Sequence, residues 1–179
     1  ALKTLGEAID LQLRLSMENP DRYELRHDLA SSYINQGQVS NDADDYSAAI
    51  QILQHIADDY PSCRMDLAQA LNNLAVVTPS MEEREQLHLR AKVVRVELLA
   101  TSPDDHKLLY GMAETLHNLA YLYMTTGRSQ ESEDSYGKAL KIFEHLVNSQ
   151  NSVTDYHRAL AECLTHMAAM LHSFGRSEE

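Results

Sequence analysis

The chain contains few of the residues that interrupt helices. Its 179 residues include four prolines and six glycines, and most of them fall between apolar segments rather than within them. Proline removes a backbone donor from a helix and glycine loosens it. Their scarcity, together with weak strand-like alternation, predicts an all-α fold. A hydrophobic fraction of 44% argues against disorder.

The chain also lacks long apolar runs and is poor in cysteine. No stretch approaches the roughly 18 apolar residues that a membrane span requires, and no secretory signal peptide is visible, so we expect no membrane partner. The two cysteines, Cys63 and Cys163, lie far apart on different predicted helices. We expect buried free thiols rather than a disulfide, which indicates a reducing compartment such as the cytoplasm.

Positive charge is scarce as well. The chain has 15 Lys and Arg against 27 Asp and Glu, for a formal net charge of −12. This balance disfavours nucleic acid, whose phosphates attract Lys and Arg, and it favours a cationic or neutral partner. The alternative is an acidic surface that only keeps the chain in solution.

Motifs for catalysis and metal binding are absent from the sequence. It contains no Gly-x-Ser-x-Gly, no phosphate-binding glycine loop and no His-Glu-x-x-His, and its nine histidines form no i, i+4 pair. His27, His117 and His166 recur on one predicted helix face, but packed helices lie about 10 Å apart, which predicts that no single ion bridges them. We therefore expect no enzyme, no metal and no cofactor. A pH-sensitive surface is the remaining role for these histidines.

What the sequence does contain is a recurring pair of residues. The pairs are Leu29-Ala30, Leu74-Ala75, Leu119-Ala120 and Met167-Ala168, at intervals of 45, 45 and 48 residues. A regular period in this range is typical of stacked helical repeats.

A second motif follows the first three pairs. It comprises Tyr46-x-x-Ala49, His88-x-x-Ala91 and Tyr136-x-x-Ala139. Gly37, Gly127 and Gly175 lie seven residues after an Ala of the first motif, where they are expected to end a helix in the left-handed conformation. Each repeat is thus predicted to be a helix, a turn and a second helix. Its alanines let the two helices approach closely.

At these residues the chain resembles the tetratricopeptide repeat family. The clearest match is Leu116-x-x-Leu119-Ala120-x-x-Tyr123-x-x-x-Gly127, continuing to Tyr136-x-x-Ala139. The long period and the run Leu71-Asn72-Asn73-Leu74-Ala75 are similar to the long repeats of kinesin light chains and bacterial multidomain regulators. The resemblance implies a right-handed α-solenoid of antiparallel helix pairs, a superhelix. The second repeat departs from the family, with Thr78-Pro79-Ser80 in place of the turn glycine.

The pattern divides residues 1–179 into one repeat domain. Residues 1–18 are predicted to be the second helix of a preceding repeat, followed by repeats at 19–60, 61–100 and 101–148 and a further first helix within 149–179. First helices are expected near 21–36, 63–78, 104–125 and 154–174, and second helices near 42–59, 81–100 and 129–148. The incomplete repeats at both ends predict a segment of a longer protein, or ends that pack on another copy.

Helix starts are predicted from capping residues. Asn19 and Ser102 each precede a proline and are expected to cap first helices, whereas Ser80 and Ser152 open sequences that resemble capping boxes. The tyrosines of the repeat motifs are expected in the core: Tyr33, Tyr46, Tyr123 and Tyr136.

Candidate binding residues follow from the resemblance. In the family the first helices line the concave face, and an Asn immediately before the Leu grips a peptide backbone. Asn73 and Asn118 match that position, while a structural role within the helices is the alternative for both. Tyr121 is expected to contact a ligand side chain, with core packing as its alternative. The full candidate set is His27, Asp28, Ser31, Asn72, Asn73, Val76, His117, Asn118, Tyr121, Thr165 and His166.

The leading functional hypothesis is a non-catalytic scaffold that binds a protein or an extended peptide on the concave face. Acidic residues near that face favour a ligand with Lys or Arg; they are Glu24, Asp28, Glu114 and Glu162. The alternatives are self-association through uncapped ends, or a spacer segment of a larger regulatory protein.

Overall fold

The computed structural model describes residues 2–175. Within that range it contains eight α-helices, one short 3₁₀ turn and no strand. The helices are α1 Leu2–Glu18, α2 Tyr23–Ser40, α3 Ala43–Ile56, α4 Arg64–Val77, α5 Met81–Thr101, α6 His106–Thr125, α7 Ser129–Ser149 and α8 Thr154–Ser173. The predicted all-α fold is confirmed, and every predicted helix is present with ends within four residues of those expected.

The chain folds as two compact units, Ala1–Val94 and Arg95–Glu179. In the first unit α1 packs on α2, α2 on α3 and α3 on α4, and α2 also contacts α4. In the second unit α6 packs on α7, α7 on α8, and α6 also contacts α8. Each unit therefore stacks its helices in the order of an α-solenoid, where every element meets its nearest neighbours. The repeat boundaries stay a prediction.

The recurring alanines lie where paired helices meet. In the first unit Ala30 and Ala49 are fully buried in a core with Leu53 and Ile56. In the second unit the equivalent Ala120 and Ala139 are also fully buried. They pack in a core with the larger side chains Leu116, Tyr136, Phe143 and Leu146. Small side chains at these positions bring the helix axes close enough for large neighbours to interdigitate.

Gly127 ends α6 as the sequence predicts. It has a φ of 76°, and two backbone hydrogen bonds close the turn. The Gly127 N–H donates to the Met124 carbonyl at 3.2 Å, and the Arg128 N–H donates to the Tyr123 carbonyl at 2.8 Å. This is the bond pattern of a glycine-terminated helix. Gly175, at a φ of 75°, also adopts the predicted left-handed conformation.

The prediction for Gly37 is wrong. The glycine is buried inside α2, which continues to Ser40 and ends at Asn41, a left-handed residue with a φ of 57°. A Cβ at Gly37 would lie 2.8 Å from Cε1 of Tyr46. The glycine therefore provides room for the Tyr46 ring rather than a turn.

Three of the four predicted caps are also wrong. Asn19 caps the end of α1 instead, because its side-chain amide donates to the Leu15 carbonyl at 2.9 Å. Asp105, rather than Ser102, caps α6 by accepting from the N–H groups of Lys107 and Leu108. Val153, rather than Ser152, precedes α8. The helix begins two or three residues later than the proline pattern indicates for α2 and α6, and one residue later than the serine pattern indicates for α8.

The fourth cap and most of the predicted core residues are confirmed. The Ser80 hydroxyl accepts from the Glu83 N–H at 3.3 Å. Tyr46, Tyr123 and Tyr136 are buried. Tyr33 is half-buried and packs against the core of the first unit, to which α3 also contributes. Cys63 and Cys163 are buried and free.

Candidate peptide-binding faces

The first helices lie side by side within each unit and present two surfaces. We call the surface of α6 and α8 in the second unit the α6/α8 face; its central residues are His117, Tyr121, Glu162 and His166. We call the corresponding surface of the first unit the α2/α4 face; its central residues are His27, Asp28, Asp66, Asn73 and Val76. Residues three or four apart share one side of a helix, as His117 and Tyr121 do on α6, Glu162 and His166 on α8, and Asn73 and Val76 on α4.

A pair of histidines joins the two helices of the α6/α8 face. His117 Nε2 and His166 Nδ1 lie 2.9 Å apart, so one nitrogen donates and the other accepts. The two rings stack, with centroids 5.0 Å apart. Both side chains reach across the gap between the two helices.

Tyr121 extends this pair toward solvent. Its ring centroid lies 5.7 Å from that of His166, and 46% of the residue is exposed. An aromatic ring that is held by neighbours and still open to solvent is suited to contact a ligand side chain.

Burial shifts the titration of His117. Removal from water lowers the pKa of its imidazole, the charge of His166 lowers it further, and Glu162 partly opposes both effects. Protonation of His117 is therefore disfavoured relative to a free histidine.

Glu114, which the sequence predicts as an acidic residue near the ligand, is half-buried. Burial raises the pKa of its carboxyl, while the charge of Arg95 and a hydrogen bond from Tyr110 lower it. Arg95 is itself 1% exposed, so Glu114 neutralises a buried cation. Glu162 on α8 is exposed and remains the acidic group of this face.

Arg95 was not found by sequence reasoning. Its guanidinium donates to the Thr115 hydroxyl, and the Thr115 hydroxyl donates to the Gly111 carbonyl at 3.1 Å. A Cβ at Gly111 would lie 2.9 Å from Arg95 Nε. The sequence feature that could have indicated this contact is Gly111, because a glycine in the middle of a predicted helix often marks the close approach of another group.

On the α2/α4 face the first histidine meets a carboxylate. His27 Nε2 donates to Asp66 Oδ2 at 2.6 Å and joins α2 to α4. Asp28 is exposed beside it. The Ser31 hydroxyl donates to the His27 carbonyl of its own helix at 3.0 Å, so this predicted contact residue is engaged locally.

Asn72 does not belong to the binding surface, contrary to the prediction. It is 4% exposed, and its Oδ1 accepts from His88 Nδ1 on α5 at 3.0 Å. His88 occupies the position at which the other repeats carry Tyr46 and Tyr136. A polar residue at a core position needs a buried polar partner. His88 in place of a tyrosine was therefore the sequence feature that could have indicated a buried role for Asn72.

Asn73 lies at the edge of the α2/α4 face. Its Oδ1 accepts from Gln69 at 3.0 Å, and its Nδ2 is buried with no hydrogen-bond partner. Val76, one turn further along α4, is 56% exposed. This face therefore combines an apolar side chain with a buried donor that lacks an acceptor.

The remaining candidates differ in exposure. Asn118 is half-buried on α6. Thr165 is exposed, and its hydroxyl donates to the Ala161 carbonyl at 2.8 Å. Among residues 2–175 no group of three or more His, Cys, Asp or Glu is arranged to hold a metal ion. No helix in that same range is long and apolar enough to span a membrane.

These features define an α-helical repeat protein in which paired helices stack and first helices carry the exposed polar and aromatic residues. A family model described as Tetratricopeptide repeat matches residues 112–152, from within α6 to just beyond α7. With the all-α hairpin fold, this match identifies residues 112–152 as a tetratricopeptide repeat. No curated protein matches the chain. The likeness to kinesin light chains stays a prediction.

Proposed function

We propose that the protein is a non-catalytic scaffold that binds an extended, basic segment of a partner protein on its first helices, principally on the α6/α8 face. Repeats of this family serve protein–protein interaction in general. The observation that carries the proposal for this face is the exposed Tyr121 ring beside the His117–His166 pair.

The chemistry of the α6/α8 face fits a Lys or Arg side chain. A cation above an exposed tyrosine ring is attracted to the π-face, and the exposed Glu162 supplies a negative charge on the neighbouring helix. Arg158, the nearby cation on α8, is paired with Asp155 at 3.1 Å. The net charge of −12 adds long-range attraction for a basic segment.

The α2/α4 face offers a second, weaker contact. Asn73 Nδ2 has no acceptor, and a peptide carbonyl reaching it would remove the cost of an unpaired buried donor. Val76 beside it gives an apolar contact. We propose that this face binds the backbone and apolar side chains of the ligand.

We also propose that the scaffold acts in the cytoplasm, where its two free thiols stay reduced.

Three fluorescein-labelled decapeptide pools test the proposal by fluorescence anisotropy. The pools are enriched in Lys and Arg, in Asp and Glu, or in uncharged residues. We expect the basic pool to bind most tightly. Tyr121→Ala should weaken it by about 1–2 kcal/mol, the cost of removing a central aromatic contact. Glu162→Gln should weaken it and reduce its dependence on salt.

The matched control is Glu144→Gln, which removes the same charge from an exposed position on α7. It should leave binding of the basic pool close to the wild-type value. Preference for the acidic pool, or equal losses in Glu162→Gln and Glu144→Gln, would contradict the proposed face.

A further inference from the structure

The histidine pair of the α6/α8 face stands beside the ring that is suited to a ligand cation. His117 and His166 are bonded to each other, and the centroid of the His166 ring lies 5.7 Å from that of Tyr121. Both histidines are half-buried between α6 and α8, whereas Tyr121 is exposed. A charge that forms on the pair therefore lies next to the place where Tyr121 is available to a Lys or Arg side chain.

The geometry of the pair lets it accept one proton and keep its contact. His117 Nε2 and His166 Nδ1 face each other at 2.9 Å, and in the neutral pair one of these nitrogens donates to the other. A protonated imidazole donates from both of its nitrogens, so a charged ring can donate to the neutral ring across the same gap. A second proton would leave two donors facing each other. The pair can thus carry one positive charge between the helices, in the range of pH where imidazoles titrate.

The other charged and titratable groups around the pair are neutral or offset. They are Tyr110 and Glu114 on α6, Tyr136 on α7, Arg158 and Cys163 on α8 and Arg95 on α5. Burial raises the pKa of Tyr110, Tyr136 and Cys163, so these groups stay uncharged near neutrality. Arg158 is paired with Asp155. The charge of Glu114 acts on Arg95. Glu162, exposed on α8, is the carboxylate whose charge acts on His117.

We propose that the His117–His166 pair makes binding on the α6/α8 face depend on pH: a proton on the pair competes with a Lys or Arg of the ligand, so that the face releases a basic segment on acidification. This inference rests on the proposed function, because it concerns the same face and the same ligand. At neutral to alkaline pH the charge of Glu162 attracts the ligand cation. On acidification a positive charge beside Tyr121 repels it. Linkage makes the effect reciprocal, so the bound ligand also opposes uptake of the proton.

Isothermal titration calorimetry with one peptide at two pH values tests this competition on the full chain. The probe is the tightest-binding member of the Lys/Arg-enriched decapeptides that lacks His, Asp and Glu, acetylated and amidated at its ends so that it does not titrate itself. We expect its dissociation constant to rise about three- to tenfold from about pH 8 to about pH 5.5, because like charges a few ångströms apart repel. Circular dichroism at both pH values verifies that the chain is folded.

The double variant His117→Gln/His166→Gln removes the titrating pair, and His145→Gln, at an exposed histidine of α7, is the matched control. The ratio of the dissociation constants at the two pH values is compared within each protein, because the pair belongs to the binding face. His145→Gln should keep the wild-type ratio, and the double variant should bring it close to unity. A pH-independent wild type, or a double variant with the wild-type ratio, would overturn the inference and leave the proposed function standing. No binding by the wild type at the higher pH would overturn both.

A reciprocal measurement needs no variant. The imidazole signals of the isotope-labelled chain are followed by NMR as the pH is lowered, with and without saturating peptide. We expect the peptide to lower the midpoint for His117 and His166 by about half a pH unit to one unit, which is the same factor seen from the side of the proton. The midpoint for His145 should not move. Equal midpoints for the pair with and without bound peptide would show that proton and ligand do not compete.

Discussion

At the level of single residues, His117 of the α6/α8 face makes the free energy of unfolding depend on pH. His117 is held between α6 and α8 by its contact with His166, where protonation costs more than in water. Burial first, and then the charge of His166, lowers the pKa of His117 from its ordinary value of 6.5. The folded chain therefore resists a proton that the unfolded chain accepts.

The sign of the pH effect follows from this difference. The contribution of His117 to the free energy of unfolding is fully present above about pH 6.5, and it is lost as the pH falls from there through the lowered pKa. In His117→Gln this loss is absent. Urea denaturation between about pH 5 and pH 8 should therefore show that the stability of the wild type, relative to His117→Gln, decreases on acidification.

A second variant separates the two causes of the shift. His166→Gln removes the neighbouring charge and leaves the burial of His117, so it should reduce the effect without abolishing it. Parallel stability profiles for the wild type and His117→Gln would contradict the assigned cause.

At the level of elements, a glycine sets how closely a buried cation approaches α6. Gly111 faces the guanidinium of Arg95, and an added Cβ would lie 2.9 Å from Nε and 3.0 Å from Nη2. Arg95 is almost fully buried and bonded to Thr115, so it has little room to move. Overpacking of this kind costs roughly 1–3 kcal/mol.

We therefore expect Gly111→Ala to lower the free energy of unfolding, measured by urea denaturation. Gly137→Ala on α7 is the control, because a Cβ there meets nothing within 4 Å. That change should stabilise the chain by about 0.5–1 kcal/mol through the better helix propensity of alanine. An equal gain in both variants would show that the guanidinium is not fixed.

The elements of the fold could be predicted from the sequence, because the Leu-Ala period and the Tyr-x-x-Ala motif encode helix packing directly. Their ends were less predictable. Gly37 has the spacing of a turn glycine, yet it lies against the ring of Tyr46, and Asn41 ends the helix in its place. A spacing rule cannot distinguish a glycine needed for its φ from one needed for its missing side chain.

The candidate site was predictable only in outline. The helical repeat places His117, Tyr121 and His166 on first helices, which the structure brings together. Asn72 is bonded to His88 and Glu114 is influenced by the charge of Arg95, and both partners lie on a neighbouring helix. Such contacts depend on which side chains meet in three dimensions, and one sequence does not specify them.

At the level of the whole molecule, the net charge and the exposed residues of the first helices favour the same kind of partner. We propose that the exposed sides of the first helices bind a basic segment of a partner. The net charge of −12 supports this role, because it attracts a basic ligand and repels acidic ones.

The most direct test of the central claim is a map of amide chemical shifts in two-dimensional NMR, recorded as the best-binding Lys/Arg-enriched decapeptide is added to the isotope-labelled chain. The account predicts that the largest changes lie on α6 and α8 around Tyr121 and His166, with little change near Glu144 on α7. Changes that cluster on the exposed side of α7 and leave the surroundings of Tyr121 unaffected would contradict it.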